Sequence, residues 1–341
     1  MRRVKLRFAG FEVEFADRDR GVQQVFEWAE KGTWHPIVVF GPEGCGKTAW
    51  LRQAAEILRE EGYDVFYLHP LDRVVYAEVS APSVREAFLD FARKALAEEK
   101  WGGVAWAIFD FVRDLLKVKK SKVAILADDV FQAIGLEKAA AYVKGLLNTI
   151  EHPVYDYEKM VVLVATSEGL SRSEIGRHRW AELKPMWNMS KKGFEELYEK
   201  LPRPKPDFEE AWRWTGGNPG ALAELYEAGW RPEKVVEVLA ERKRLGLFAG
   251  SLSPEERGWL AEAVEDPDSL WGAGAPEELL RELEARNLIV YNVYDRDPWL
   301  WIDEPPPERD LELGVGRHVA WQTPLHREAV RRALEEAGPP S

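Results

Sequence analysis

Eight consecutive residues, Gly41-Pro42-Glu43-Gly44-Cys45-Gly46-Lys47-Thr48, have the types and spacing to hold a polyphosphate. They fit G-x-x-x-x-G-K-[ST]. The glycines let the backbone curl until consecutive N–H groups point inward at phosphate oxygens. Lys47 would bridge the β- and γ-phosphates, and Thr48 would offer its hydroxyl to Mg²⁺, an ion that demands near-octahedral oxygen ligands. The apolar run Pro36 to Phe40 precedes the loop, and a helical stretch from Lys47 to Glu61 follows it through Ala49. A buried strand before the loop and a helix N-terminus after it, with its partial positive charge, are the context that such a loop requires.

A magnesium ion held there needs a second protein anchor at the end of a neighbouring strand. Lys122-Val123-Ala124-Ile125-Leu126-Ala127-Asp128-Asp129 has that form. Asp128 is the metal-side carboxylate. Asp129, turned to the other side, either orients or deprotonates an attacking water, or caps the next helix or serves as a structural acid. The run Val161-Val162-Leu163-Val164-Ala165 ends in Thr166-Ser167. Those hydroxyls would sense a γ-phosphate if this strand neighbours the Asp128 strand, and would otherwise cap the following loop. Cys45 sits where a thiol pKa tends to fall, so it is read either as a redox or alkylation switch or as a small residue that fits the loop. The six histidines form no H-E-x-x-H and no close pair, and are expected to be ordinary surface or core residues.

Four near-continuous apolar runs, Pro36 to Phe40, Tyr63 to Leu68, Val123 to Ala127 and Met160 to Thr166, read as parallel strands buried on both faces. Helical patterns separate them, with two (83–99 and 103–117) lying together between the second and third. The expected fold is α/β, a phosphate-loop NTPase sheet with helices on both faces, spanning 1–187. Helices then predominate at 191–201, 207–215, 219–228 and 232–245, giving a second, helical domain over 188–248. The last part, 249–341, opens with the capping box Ser253-Pro254-Glu255-Glu256. A helix at 276–286 follows, then a hairpin whose first strand is Leu288 to Val293, whose turn is 295–298 and whose return strand is Trp299 to Ile302. Helix, helix, hairpin is the order of a winged helix.

The whole chain has 341 residues, 45% of them hydrophobic, enough for more than one core. Lys+Arg 47 against Asp+Glu 59 leaves a net charge of −12, which excludes a general nucleic-acid coat protein and confines any DNA contact to a local patch. No apolar run approaches the ~18 residues of a membrane span. The basic N-terminus leads into Phe11-Glu12-Val13-Glu14-Phe15 rather than a signal-peptide core, so the expectation is a cytoplasmic protein. A single cysteine rules out an intrachain disulfide and a cysteine-based metal site. Five Asn, five Gln and abundant charge lean toward a hyperthermophilic source.

With these features in this order, the chain resembles the STAND clade of P-loop ATPases, and most closely the predominantly archaeal ATPase branch. Asp17-Arg18, within Phe15 to Arg20, looks like the family's element near the adenine. Gly216-Gly217-Asn218-Pro219 is similar to the lid motif whose proline approaches the nucleotide. Ile175-Gly176-Arg177 looks like the stretch where an arginine acts on nucleotide in cis or across a subunit boundary. Trp321 to Arg327 is similar to the closing winged-helix segment. The resemblance implies ATP and Mg²⁺ as cofactors, an ATPase reaction yielding ADP and phosphate, and a switch in which the nucleotide controls the lid and winged helix. Lys47, Asp129 and Arg177 are the implied catalytic residues. Asp129 is shorter than the glutamate of many hydrolysing relatives, which implies slow turnover. A protein partner and nucleotide-dependent self-association are expected. DNA binding is the alternative, disfavoured because helix 276–286 carries four glutamates against two arginines. Arg231 to Arg244, with Lys234, Arg242 and Lys243, is the better DNA-facing surface. A small-molecule phosphotransferase would leave the lid and winged helix without a role.

Overall fold

The computed structural model describes residues 2–98, 100–166 and 169–338, so Ser167 lies outside the described residues. A hairpin opens the chain (β1, Lys5–Phe8; β2, Phe11–Glu14). Helix α1 (Asp19–Lys31) leads to β3 (Ile37–Phe40), α2 (Lys47–Glu60), β4 (Asp64–His69) and β5 (Val74–Glu78). After α3 (Pro82–Ala97) and α4 (Trp101–Val118) come β6 (Lys122–Asp128), α5 (Val130–Ile134), α6 (Ala139–Glu151), β7 (Lys159–Thr166), α7 (Gly169–Gly176) and β8 (Glu182–Pro185).

The sheet order is β5-β4-β6-β7-β3-β8, parallel except for β5, which runs antiparallel to β4. This is an α/β architecture with a central, mostly parallel sheet flanked by helices. Every residue of β3 and β4 is buried, as is every residue of β6 and β7 after the first. Apolar side chains on both faces make such strands read as continuous runs. The four expected strands are therefore found within a residue or so. Two sheet strands lie outside the expected four. In β5 most residues are only half-buried, and β8 has two half-buried residues of its four.

The chain forms two compact units. The first contains residues 1–5, 19–40 and 47–185, with the six-stranded sheet and a core including Phe66, Phe88, Ile108, Ile125, Phe131 and Val162. The second contains residues 6–18, 41–46 and 186–341. Its helices are α8 (Lys191–Glu199), α9 (Phe208–Thr215), α10 (Pro219–Glu227), α11 (Pro232–Arg242), α12 (Leu245–Ser251), α13 (Pro254–Glu265), α14 (Glu277–Ala285) and α15 (Pro324–Glu336). A short antiparallel pair, β9 (Ile289–Tyr291) and β10 (Val319–Trp321), completes it. Among the described residues no helix is long and apolar enough to cross a membrane.

Two local expectations are corrected. The helix read as 232–245 stops at Arg242, and Arg244, at φ +52°, turns the chain into the separate helix α12. The return strand expected at Trp299 to Ile302 is instead a 3₁₀ turn over Pro298–Leu300, and β9 pairs with β10. Pro298 supplies no N–H for a ladder, and the Asp297 carboxylate accepts from the Trp299 N–H, so the segment coils. Val319–Trp321, fully buried, provides the partner strand.

Ser253 and Glu256 form the expected capping box on α13. At the start of α15, Thr323 caps by accepting from the His326 N–H, and its Oγ1 lies 2.8 Å from His326 Nδ1. Burial pushes the His326 imidazole down to about 3, helped by the nearby charges of Lys243 and Arg242. The folded state holds this ring neutral, so its contribution is intact above pH 6.5 and is lost as pH falls toward 3. The slope is about 1.4 kcal/mol per pH unit, or about 2 kcal/mol by pH 5. Denaturant titrations at pH 7 and pH 5 should show the wild type losing that much more stability than His326→Gln.

Candidate functional site

In the first unit, Lys47 opens α2 and is buried, with Thr48 and Ala49 half-buried behind it. The register brings three strand ends together. Phe40, the last residue of β3, pairs with Thr166 of β7, and Asp128 of β6 pairs with Ala165 of β7. The condition set for Thr166 is thus met: its strand lies between the phosphate-loop strand and the Asp128 strand. Thr166 is itself 1% exposed.

Asp128 is buried and accepts from the Tyr67 hydroxyl at 3.0 Å and from the Thr48 side chain. The Thr48 contact joins the two expected metal ligands directly. Burial pushes the Asp128 carboxyl up to about 6; His69 opposes the rise and Asp129 adds to it. A group so destabilised as an anion is one that a cation would stabilise. Asp129 adopts φ +45°, and its N–H donates to Ala165 O at 2.9 Å. It occupies the N-cap position of α5, yet its carboxylate makes no capping hydrogen bond. The capping alternative therefore loses its support, and the side chain is 20% exposed.

Sequence reasoning missed His69. It ends β4, one residue beyond the Leu68–Ala127 pair, and so lies beside Asp128. Nδ1 is 3.6 Å from Asp128 Oδ2 and 3.2 Å from Asp72 Oδ2, and Nε2 is 3.9 Å from Asp129 Oδ2. Only the β4–β6 pairing reveals this, since 59 positions separate His69 from Asp128 along the chain. Arg177 follows α7 with its side chain 68% exposed and paired with Glu174 at 3.3 Å.

In the second unit, residues 41–46 form a loop with positive φ at Gly41, Gly44 and Gly46. Pro42 O accepts from the Cys45 N–H at 3.2 Å. The loop packs on the start of α10: Gly220 N–H donates to Gly44 O at 3.0 Å and Asn218 Nδ2 to Glu43 O at 2.9 Å. Pro219 occupies the first turn of α10, and a Cβ at Gly46 would lie 4.0 Å from its ring. The Glu43 N–H donates to Gln322 Oε1 at 2.7 Å, and the Glu43 carboxylate pairs with Lys243 at 3.5 Å. Cys45 is fully buried with its thiol 3.7 Å from Met186 O, which fits a residue filling the loop rather than an exposed switch.

Arg18 is buried and anchors the same loop. Its guanidinium donates to Cys45 O at 2.6 Å, Trp187 O at 2.8 Å and Asn188 O at 3.5 Å, and pairs with Asp303 at 3.0 Å. The side chain expected beside an adenine is thus engaged by four protein acceptors. Asp17, next to it, accepts from Ser190 Oγ at 3.2 Å. Burial raises its carboxyl pKa and Asp303 adds to the rise. Both residues have positive φ. Gly193 is the only residue type that fits against Asp17, because a Cβ there would fall 1.7 Å from Oδ2. Lys243, named above as a DNA-facing cation, is 12% exposed and held by Glu43 and by Arg286 O, while Arg242 pairs with Glu224.

The contact between Gly44 and Gly220 gives a direct test. Alanine inside a helix ordinarily gains up to ~1 kcal/mol over glycine. A Cβ at Gly220, however, would meet Gly44 Cα at 2.9 Å, a backbone atom that cannot swing aside as a side chain could. Gly220→Ala should therefore destabilise the chain by about 1–3 kcal/mol in urea titration and weaken ATP binding through the displaced loop.

The family described as an ATPase domain predominantly from Archaea matches residues 15–225, more than half of the chain. Among solved structures, the chain is similar to a Walker-type ATPase of Pyrococcus abyssi, 19% identical, covering 93% of this chain and 96% of that one, with a TM-score of 0.46. The ORC2 protein of Aeropyrum pernix, solved in ADPNP and ADP complexes, is 11% identical over 94% and 92%, TM-score 0.43. The AMPPCP-bound DnaA of Aquifex aeolicus is 19% identical over 75% and 70%, TM-score 0.36. None of the curated proteins matches the chain.

Proposed function

The chain belongs to the family of ATPase domains found predominantly in Archaea, and from that premise we propose that it is a nucleotide-dependent switch that hydrolyses ATP slowly with Mg²⁺. The observation that carries this reading is the grip on residues 41–46 by Asn218, Gly220, Gln322 and Lys243. A polyphosphate that reshapes the loop backbone competes with those contacts, so occupancy of the loop is felt by α10 and by the segment that opens α15. The γ-phosphate is the part that distinguishes ATP from ADP, and a ligand shifts a conformational equilibrium only through such differential contacts.

In this reading Lys47 neutralises the terminal phosphates. Thr48 and Asp128, already hydrogen-bonded to each other, fit a hard cation that is neutralised by one carboxylate and by the phosphates. That ion would supply charge neutralisation of the phosphate oxygens. Asp129 orients the attacking water, and Thr166 hydrogen-bonds the γ-phosphate. Gly41 to Gly46 and Ala49 cradle the phosphates, while the backbone at Asp17-Arg18 and the Pro219 ring border the base. Arg177 is exposed, which suits action on nucleotide held by a second copy of the chain. Residues 188–248 act as the lid and 249–341 as the winged helix that relays the state to a protein partner. The DNA alternative is weakened because Lys243 is spent on Glu43.

Limited proteolysis and hydrogen exchange with ATP and with ADP test the reading. Protection at 216–222 and 318–326 should differ between the two nucleotides, and Gln322→Ala should reduce the difference. Identical profiles with the two nucleotides would refute the switch.

A further inference from the structure

His69 has no part in the chemistry above, yet its ring is 6% exposed and faces the acid pair. Its Nδ1 is buried and makes no hydrogen bond. A charged imidazole serving only as an ion-pair partner would donate to a carboxylate at about 2.7–2.9 Å. The separations from the His69 ring to Asp128 and Asp129 are 3.6 and 3.9 Å. Two ligands about 2.1 Å from one ion stand about 3 Å apart on adjacent octahedral positions and about 4.2 Å apart on opposite ones. One ligand atom from each of His69, Asp128 and Asp129 can be chosen so that all lie within 4.8 Å of one another. The spacing is too wide for direct pairing and right for a shared cation.

We propose that His69, Asp128 and Asp129 form a mixed nitrogen and oxygen site that binds a first-row transition ion in preference to Mg²⁺, and does so without nucleotide. Imidazole suits such ions, whereas Mg²⁺ prefers oxygen ligands. The surroundings match a built metal site. Tyr67 holds Asp128 by a 3.0 Å hydrogen bond, and Asp72 stands 3.2 Å from His69 Nδ1 as a further carboxylate beside the ring. The inference rests on the assignment of Asp128 as a metal carboxylate, but not on hydrolysis or on the switch.

The probe is Co²⁺, titrated into the nucleotide-free full chain and followed by its visible d–d absorption, with Mg²⁺ as competitor. One equivalent should bind at least tenfold more tightly than Mg²⁺, and His69→Ala should lower the Co²⁺ affinity at least tenfold. Electron spin-echo spectroscopy of bound Mn²⁺ adds a readout that requires no variant: a coupling to a histidine ¹⁴N should be present. Equal Co²⁺ affinity in wild type and His69→Ala, or no nitrogen coupling, would overturn the proposal. ATP binding in Mg²⁺, followed with a fluorescent ATP analogue, separates the two readings. Its loss counts against the phosphate loop and leaves the metal site standing, whereas its retention with no Co²⁺ preference refutes the metal site alone.

Discussion

Asp129→Asn should lower ATP turnover by at least ~10², the low end of what a positioned acid or base contributes, while leaving ATP affinity unchanged. The substitution keeps the size and shape of the side chain and removes its ability to accept a proton. The local backbone should survive, since the left-handed conformation at residue 129 suits asparagine as well as aspartate, and the N–H that donates to Ala165 O is main chain. No helix cap is lost, because the Asp129 carboxylate caps nothing. Asp128→Asn should behave differently. It breaks into the Thr48 and Tyr67 hydrogen bonds and removes a metal charge, so metal-dependent ATP affinity should fall together with turnover. Phosphate release at elevated temperature, paired with equilibrium ATP titration, separates the two. Turnover unchanged in Asp129→Asn would make that carboxylate structural.

The parts of this molecule that could be read from sequence are those whose physics is local. The phosphate loop is eight contiguous residues, and the strands that position it are buried on both faces, so each announces itself as an apolar run. Ser253-Pro254-Glu255-Glu256 carries its own capping chemistry and behaves as expected. β8, Glu182-Leu183-Lys184-Pro185, has no apolar run to announce it, whereas Val74-Val75-Tyr76-Ala77 in β5 was a usable strand signal that went unread. His69 and Arg18 are a different case. His69 becomes interesting only when β4 is laid beside β6, and the histidine pattern along the chain contains no trace of that. Arg18 finds its carboxylate 285 positions away, at Asp303. The Asp297-Pro298 pair was a usable signal that went the other way. A proline preceded by a capping acid favours a coil over a return strand, and β9 then draws its partner from Val319–Trp321.

Arg18→Met should cost about 3–5 kcal/mol of stability, the range found when one partner of a buried ion pair is removed. Both side chains of the Arg18–Asp303 pair are 3% exposed, so the surviving carboxylate would be left in the interior without its counter-charge. The loss does not stop at the pair. Three carbonyls, of Cys45, Trp187 and Asn188, would lose their guanidinium donor at the same time. For that reason replacing both partners with apolar residues, which is often neutral for a simple buried pair, should not restore stability here. Asp303→Asn should cost less than Arg18→Met, because an amide oxygen can still accept from Arg18 and the three carbonyl contacts persist. Since Cys45 O belongs to the phosphate loop, Arg18→Met should also weaken ATP binding, whereas Asp303→Asn should leave it nearly intact. Urea denaturation and ATP titration of the three variants decide the matter. Full recovery of stability in the doubly apolar variant would mean that the carbonyls find other donors and that Arg18 serves only to balance Asp303.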